Sequence, residues 1–218
     1  MTGRLILVRH GETEGNVAKQ LDTKLPGAPL TELGVMQART IAERFAAEEP
    51  VALVSSHALR ALQTASYIEG STSLIVQALD GLHEAQAGDL EGKTDEASHE
   101  LFKKVFHDWH MGDLTVRVPG GESGQDVLDR YVPVLDQLRE QYLDSGDVVV
   151  VSHGAAIRLV GRYLGNVPGL FSSHNHLDNT QTVELVPTPD GWECVRWAVF
   201  EPPFEQEDVA AIADDPMG

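Results

Sequence analysis

Two short stretches of this sequence end in the same way. LILVRHG places His10 directly after Arg9 and before Gly11, and VVVVSHG places His153 before Gly154. Thr13 and Asn16 follow the first histidine closely. Arg60, in SSHALRALQTA, and Glu84, in LHE, lie between the two. Two arginines and two histidines are costly to gather unless an anion sits among them. The guanidinium fork matches phosphate oxygens through bidentate, charge-assisted hydrogen bonds, so a phosphate ester is expected ahead of a carbonyl substrate. A neutral imidazole can carry a phosphoryl group if one ring nitrogen is bare and the other donates to a fixed acceptor. A backbone carbonyl in the Gly11 turn would serve as that acceptor. Burial favours neutral His10, whereas a nearby oxyanion favours cationic His153. Glu84 suits protonation of the leaving oxygen if apolar surroundings or bound phosphate favour its acid form, and afterwards activation of water.

Such groups need a rigid mount, and the pattern along the chain supplies one. Strand-like and helix-like segments alternate, which predicts an α/β fold with a mostly parallel central sheet covered by helices. Strands are expected at Arg4–Val8, Val51–Ser55, Leu74–Val76, Asp147–Val151, Thr182–Val186 and Glu193–Val199, the last two joined by a Pro-Asp-Gly turn. Thr31 caps a helix to about Glu48, with Leu33, Met36, Ile41 and Phe45 near helical spacing. Further helices are expected over 59–69, 95–109 and 155–164, and another follows the PGGES turn, with Ser123 as N-cap and Asp126 as its partner. Pro133 should bend that last helix. Both histidines then stand at carboxyl ends of buried strands, where open α/β sheets bind ligands. Two imidazoles about 140 residues apart are thereby expected at one sheet edge.

The 218 residues suffice for one domain with a sizeable core, and no apolar run approaches the length of a membrane helix. The chain opens MTGRL with no secretory pattern, and its single cysteine, Cys194, suits a reducing cytoplasm. A formal charge of −18 argues against nucleic acid and anionic membranes as partners. Residues 1–200 are expected to form one domain, and 201–218 an acidic tail, mobile near its end.

The motifs together resemble the histidine phosphatase superfamily, known also for the cofactor-dependent phosphoglycerate mutases. The resemblance rests on LVRHGETEGN, LTELGVMQA, SSHALRALQTA, LHE with GDLEGKT, PGGES, VVVVSHG and LDNTQTVEL, and spans roughly residues 4–199. It implies a three-layer α/β/α sandwich and no metal or other cofactor. It implies that His10 is the phosphorylated nucleophile. Arg9, Arg60 and His153 become the phosphate-pocket cations, Asn16 a donor to phosphoryl oxygens, and Glu84 the proton donor.

Departures from the family bear on the reaction. Mutases follow their glutamate with an RHYGxLQG-like segment, but here the chain reads HEAQAGDLEGKT, and only Arg117 precedes the PGGES turn. A phosphatase acting on a small phosphorylated metabolite is therefore expected. The alternatives are a phosphoglycerate mutase and a catalytically silent phospho-ligand binder. Residues 95–118 resemble the family's cap, whose Phe102, Phe106, His107, Trp109 and His110 would select the leaving group or simply pack in the core. HDWH and HNH each offer a histidine pair, but zinc wants three or four convergent ligands, so no metal is expected. Edge strands leave monomer and homodimer both open.

Overall fold

The two apolar runs that end in His-Gly are neighbouring strands. In a computed structural model that describes residues 3–205, β1 (Leu5–Arg9) pairs parallel with β4 (Val148–Ser152), with Arg9 opposite Ser152. The next residue of each strand is a histidine, so the register alone sets His10 beside His153. The other strands are β2 (Ala52–Ser55), β3 (Val76–Ala78), β5 (Thr182–Thr188) and β6 (Gly191–Trp197). Their order is β3-β2-β4-β1-β5-β6. The first four strands of that order run parallel, and β5 and β6 close the sheet antiparallel.

Alternation along the strands divides the core into two layers. Leu5, Leu7, Val148 and Val150 face one side, with Phe102, Trp109, Tyr131, Leu135, Ile157 and Leu159. Those side chains come from α4 (Glu96–His110), α5 (Gly124–Tyr142) and α6 (Gly154–Leu164). Ile6, Val8, Val149 and Val151 face the other side, with Ile41, Phe45, Ala61 and Ile68 from α2 (Glu32–Glu48) and α3 (Leu59–Ser71). The short α1 (Glu14–Val17) and α7 (Gly169–His174) complete the described elements. This is the three-layer α/β/α sandwich expected.

Local signals place the ends well. Thr31 caps α2 through its side chain, Asp95 caps α4, and Ser123 with Asp126 forms a capping box on α5, which carries Pro133 in its interior. The buried face of α2 differs from the expected one. Leu33 and Met36 are exposed, and the small Ala38 and Ala42 join Ile41 and Phe45 in the core. Small residues suit the close packing of α2 on α3, which a scan for large apolar residues overlooks.

The third strand begins at Val76, two residues later than expected, because Val76 to Ala78 are the residues in register with β2. At the far end, Glu201 pairs with Arg196 at 2.6 Å and the Phe204 ring packs on Phe171. Residues 206–218 of the expected acidic tail lie outside the described residues. No helix among the described residues is long and apolar enough to cross a membrane.

Candidate active site

His10 is held in one tautomer by its two neighbours. Its Nδ1 lies 2.7 Å from the Gly11 carbonyl and donates to it, and its Nε2 accepts from the Arg60 Nε–H at 3.0 Å. Burial first, then the charges of Arg60 and Arg9, push its pKa well below the ordinary imidazole value; the bond to Gly11 works the other way. The ring is therefore neutral, with its bare nitrogen facing Arg60. The Asn179 side chain donates to the His10 carbonyl at 3.0 Å, which fixes the backbone of the strand end.

His153 is fully buried, its ring packed edge-on against His10 with centroids 5.3 Å apart. Its Nδ1 accepts from the same Arg60 Nε–H at 3.2 Å, and its Nε2 donates to the Ser56 hydroxyl at 2.9 Å. Burial, Arg60 and His10 together hold its pKa well below the ordinary value. The cationic form expected beside an oxyanion thus has to be induced by one.

Besides offering its carbonyl to His10, Gly11 makes a close backbone contact. A Cβ there would stand 2.5 Å from the Gly34 carbonyl oxygen, so RHG and LTELG are two motifs joined by one backbone contact. On the next turn, Asn16 closes a capping box with Thr13, its Oδ1 accepting from the Thr13 N–H and hydroxyl. That commits the amide oxygen to the cap.

Arg9 is buried, and its Nη1 donates to the Leu177 carbonyl at 2.7 Å and meets His176 Nε2 at 2.8 Å. Glu84, also buried, stands at the N-terminus of α6, where its carboxylate accepts from the N–H groups of Ala155 (3.1 Å) and Ala156 (2.8 Å), besides that of Ala85. Such donors suit an ionised carboxylate at the positive end of a helix.

Arg9, His10, Asn16, Arg60 and Glu84, all chosen from sequence, line one pocket with Thr13, Gln20, Asp22 and Gly154. His153 adjoins it through His10 and Arg60. Sequence reasoning missed Asp22, Ser56 and Arg130. Arg130 donates to the carbonyls of Gly81, His83 and Glu84 and is itself held by Glu122 of the PGGES turn. The motif's glutamate was the available signal for that arrangement.

The phenylalanine and tryptophan side chains of 95–118, open between selecting the leaving group and packing in the core, take the core. Phe102, Phe106 and Trp109 are buried in the main core, His110 bonds Ser172 Oγ at 2.7 Å, and the His107 ring lies against His174. An amphipathic helix buries its large apolar face when a second layer lies beneath it. What α4 brings near the pocket is its first turn, where His99 Nε2 lies 2.8 Å from the Lys19 carbonyl, next to Gln20. Among the described residues, no group of three or more histidine, cysteine or acidic side chains converges as a metal site.

Known proteins share this fold and family. A family model described as histidine phosphatase superfamily (branch 1) matches residues 5–199. A glucosyl-3-phosphoglycerate phosphatase of Mycobacterium tuberculosis is 31% identical over 206 residues, 89% of this chain and 91% of that protein. A metal-independent phosphoserine phosphatase of Arabidopsis thaliana is 32% identical over 160 residues, 72% of this chain and 66% of that one. The native structure of a mycobacterial glucosyl-3-phosphoglycerate phosphatase superposes with a TM-score of 0.78 at 27% identity, covering 92% of this chain and all of the other. With its two strand-end histidines, its arginines and its sheet order in place, the chain belongs to the histidine phosphatase superfamily.

Proposed function

We propose that this protein hydrolyses small phosphomonoesters through a phosphohistidine on His10. The observation that carries the mechanism is the bare, neutral Nε2 of His10 in a pocket shared with Arg9, Arg60 and Glu84. In the first step Nε2 attacks phosphorus in line, the N–P bond forms and the bond from phosphorus to the alcohol oxygen breaks. Arg9, Arg60, the Asn16 amide and His153, which takes a proton from solvent as the anion arrives and returns it when phosphate leaves, hold the equatorial oxygens. Glu84 gives its proton to the leaving oxygen. Two anions in one desolvated pocket share a proton, so that proton enters with the substrate phosphate. In the second step Glu84 takes a proton from water, the hydroxide attacks phosphorus, and the N–P bond breaks to restore neutral His10.

The chain is a phosphatase of the histidine phosphatase type, and the names of its relatives, which act on glucosyl-3-phosphoglycerate and phosphoserine, support a small phosphorylated metabolite as substrate. We take residues 1–200 as one catalytic domain, 95–118 as its cap and 201–218 as a tail. The buried thiol of Cys194 is in keeping with a cytoplasmic enzyme, as monomer or homodimer.

The test is to incubate wild type and His10→Ala with p-nitrophenyl phosphate and with 3-phosphoglycerate, with and without EDTA. Phosphate release that survives EDTA and disappears in the variant supports the reading. Isomerised phosphoglycerate without phosphate release would make it a mutase, and binding without turnover a silent binder. An undiminished rate in His10→Ala would refute the mechanism.

A further inference from the structure

A carboxylate stands where an anion must bind. Asp22 lines the same pocket as His10 and Arg60, and its Oδ2 lies 3.3 Å from Arg60 Nη1. The Asp22 backbone carbonyl accepts from Arg60 Nη2 at 3.0 Å. Both terminal nitrogens of Arg60 therefore face Asp22, while its Nε faces the two histidines. The loop that carries Asp22 is seated firmly. Ala28 N–H donates to Asp22 Oδ2 at 2.7 Å, Glu91 accepts from the N–H groups of Thr23 and Lys24, and Leu59 N–H donates to the Pro26 carbonyl. Gly27, at φ +74°, lies so close that a Cβ there would stand 2.3 Å from Arg60 Nη1.

The consequence is a competition. About 10 Å³ of room is left among these groups, the space of roughly one water. A phosphoryl group needs more room than that, and it competes with Asp22 for Arg60. Before substrate arrives the formal charges on the pocket wall also cancel: Arg9 and Arg60 are positive, Asp22 and Glu84 negative, and His10 neutral, as is the adjoining His153. No further cation lines the pocket among the described residues. Arg130, which bonds the Glu84 carbonyl, is paired with Glu122 at 2.8 Å, and Arg117 with Asp126 at 2.6 Å. One phosphate dianion can be met by displacing Asp22. A second anionic group on the substrate finds a displaced carboxylate instead of a cation.

We propose that Asp22 is a specificity-determining residue, which restricts the site to phosphomonoesters whose phosphate is their only anionic group. This rests on the phosphatase reading above and names the substrate class within it: esters of neutral or cationic alcohols.

A matched pair of substrates tests it. sn-Glycerol 3-phosphate and 3-phosphoglycerate share a three-carbon skeleton and differ in a hydroxymethyl against a carboxylate. Wild type should favour the glycerol ester by about tenfold or more in kcat/KM, and Asp22→Asn should narrow that ratio to about threefold, chiefly through KM for 3-phosphoglycerate. Titration with inorganic phosphate should show binding tightened about fivefold in Asp22→Asn, since the competitor for Arg60 has lost its charge. Asparagine keeps a carbonyl oxygen for the Ala28 N–H; Asp22→Ser is the second uncharged variant, and a thermal melt confirms that each is folded.

A wild-type preference for 3-phosphoglycerate, or a ratio and phosphate affinity that both variants leave unchanged, would overturn the proposal. So would an equal fall in kcat for both substrates with weaker phosphate binding, because Asp22 would then only position Arg60. Should wild type hydrolyse neither ester, the phosphatase reading fails, and the phosphate titration still decides the role of Asp22.

Discussion

The Arg60 Nε–H is shared between two ring nitrogens, His10 Nε2 at 3.0 Å and His153 Nδ1 at 3.2 Å. Arginine has no acceptor, so both nitrogens must be bare, and the proton of each ring is placed by its other partner. That gives an Nδ1–H tautomer at His10, donating to Gly11, and an Nε2–H tautomer at His153, donating to Ser56. Long-range proton–nitrogen correlation spectra should report those two tautomers, with neither ring becoming imidazolium between pH 7.5 and about 6, below the ordinary histidine pKa near 6.5. A titration of either ring near 6.5 would contradict the geometry. Strand-end His-Gly pairs made His10 and His153 legible in sequence, as the arginine and glutamate patterns did for Arg60 and Glu84. Asp22 was not legible, because a search for an anion site looks for cations, and a carboxylate in a polar loop reads as a solvated surface group. Ser56 was hidden for a different reason: its partner lies 97 residues away, and only strand pairing brings the two together.

At the scale of elements, the segment that carries Glu84 is not itself a strand; Ser152 of β4 donates to its Leu82 carbonyl, α6 holds the Glu84 carboxylate, and α5 braces its backbone. The Arg130 fork donates to the carbonyls of Gly81, His83 and Glu84 at 2.6, 2.8 and 3.1 Å. Glu122 holds that fork through both oxygens and accepts the Gln86 N–H as well. Burial works to raise the pKa of Glu122, but the Arg130 guanidinium holds it net below the usual carboxylate range. Glu122→Gln keeps the shape but turns an NH2 group toward N–H donors. It should cost about 1–3 kcal/mol of stability, read as a fall in the denaturant midpoint. With the Glu84 loop loosened, kcat should fall about tenfold while KM changes little, because the arginines that grip phosphate are untouched. A normal kcat in the folded variant would show that the loop needs no such brace. PGGES was recognisable as a turn, and its capping serine followed from the pattern. The partner of its glutamate did not, since nothing in the spacing says that Arg130 turns back along the first turns of α5 to reach it.

For the whole molecule, acid and salt act through different charges. His10, His110 and His153 are buried, and burial leads the causes that hold each pKa well below 6.5. Between those lowered values and 6.5 the unfolded chain binds more protons than the native one, so stability falls as pH drops below 6.5. Each imidazole contributes at most about 1.4 kcal/mol per pH unit over that window. The denaturant midpoint should therefore fall between pH 7.5 and 5.5, and His110→Gln, outside the pocket, should flatten the slope; a midpoint constant over that range would refute the assignment. Salt tests the remaining carboxylates. A formal charge of −18 repels any anionic substrate at long range, whereas the pocket arginines act at contact distance. Raising ionic strength from about 0.01 M to 0.15 M shortens the Debye length from about 30 Å to 8 Å. That removes the repulsion of distant carboxylates and leaves contacts within the pocket almost unscreened. The kcat/KM for a bisphosphate should accordingly rise over that range, and for a monophosphate with a neutral alcohol it should rise less. If kcat/KM for the bisphosphate falls monotonically with salt, attraction by the pocket outweighs the acidic shell, and the net charge has no part in substrate capture.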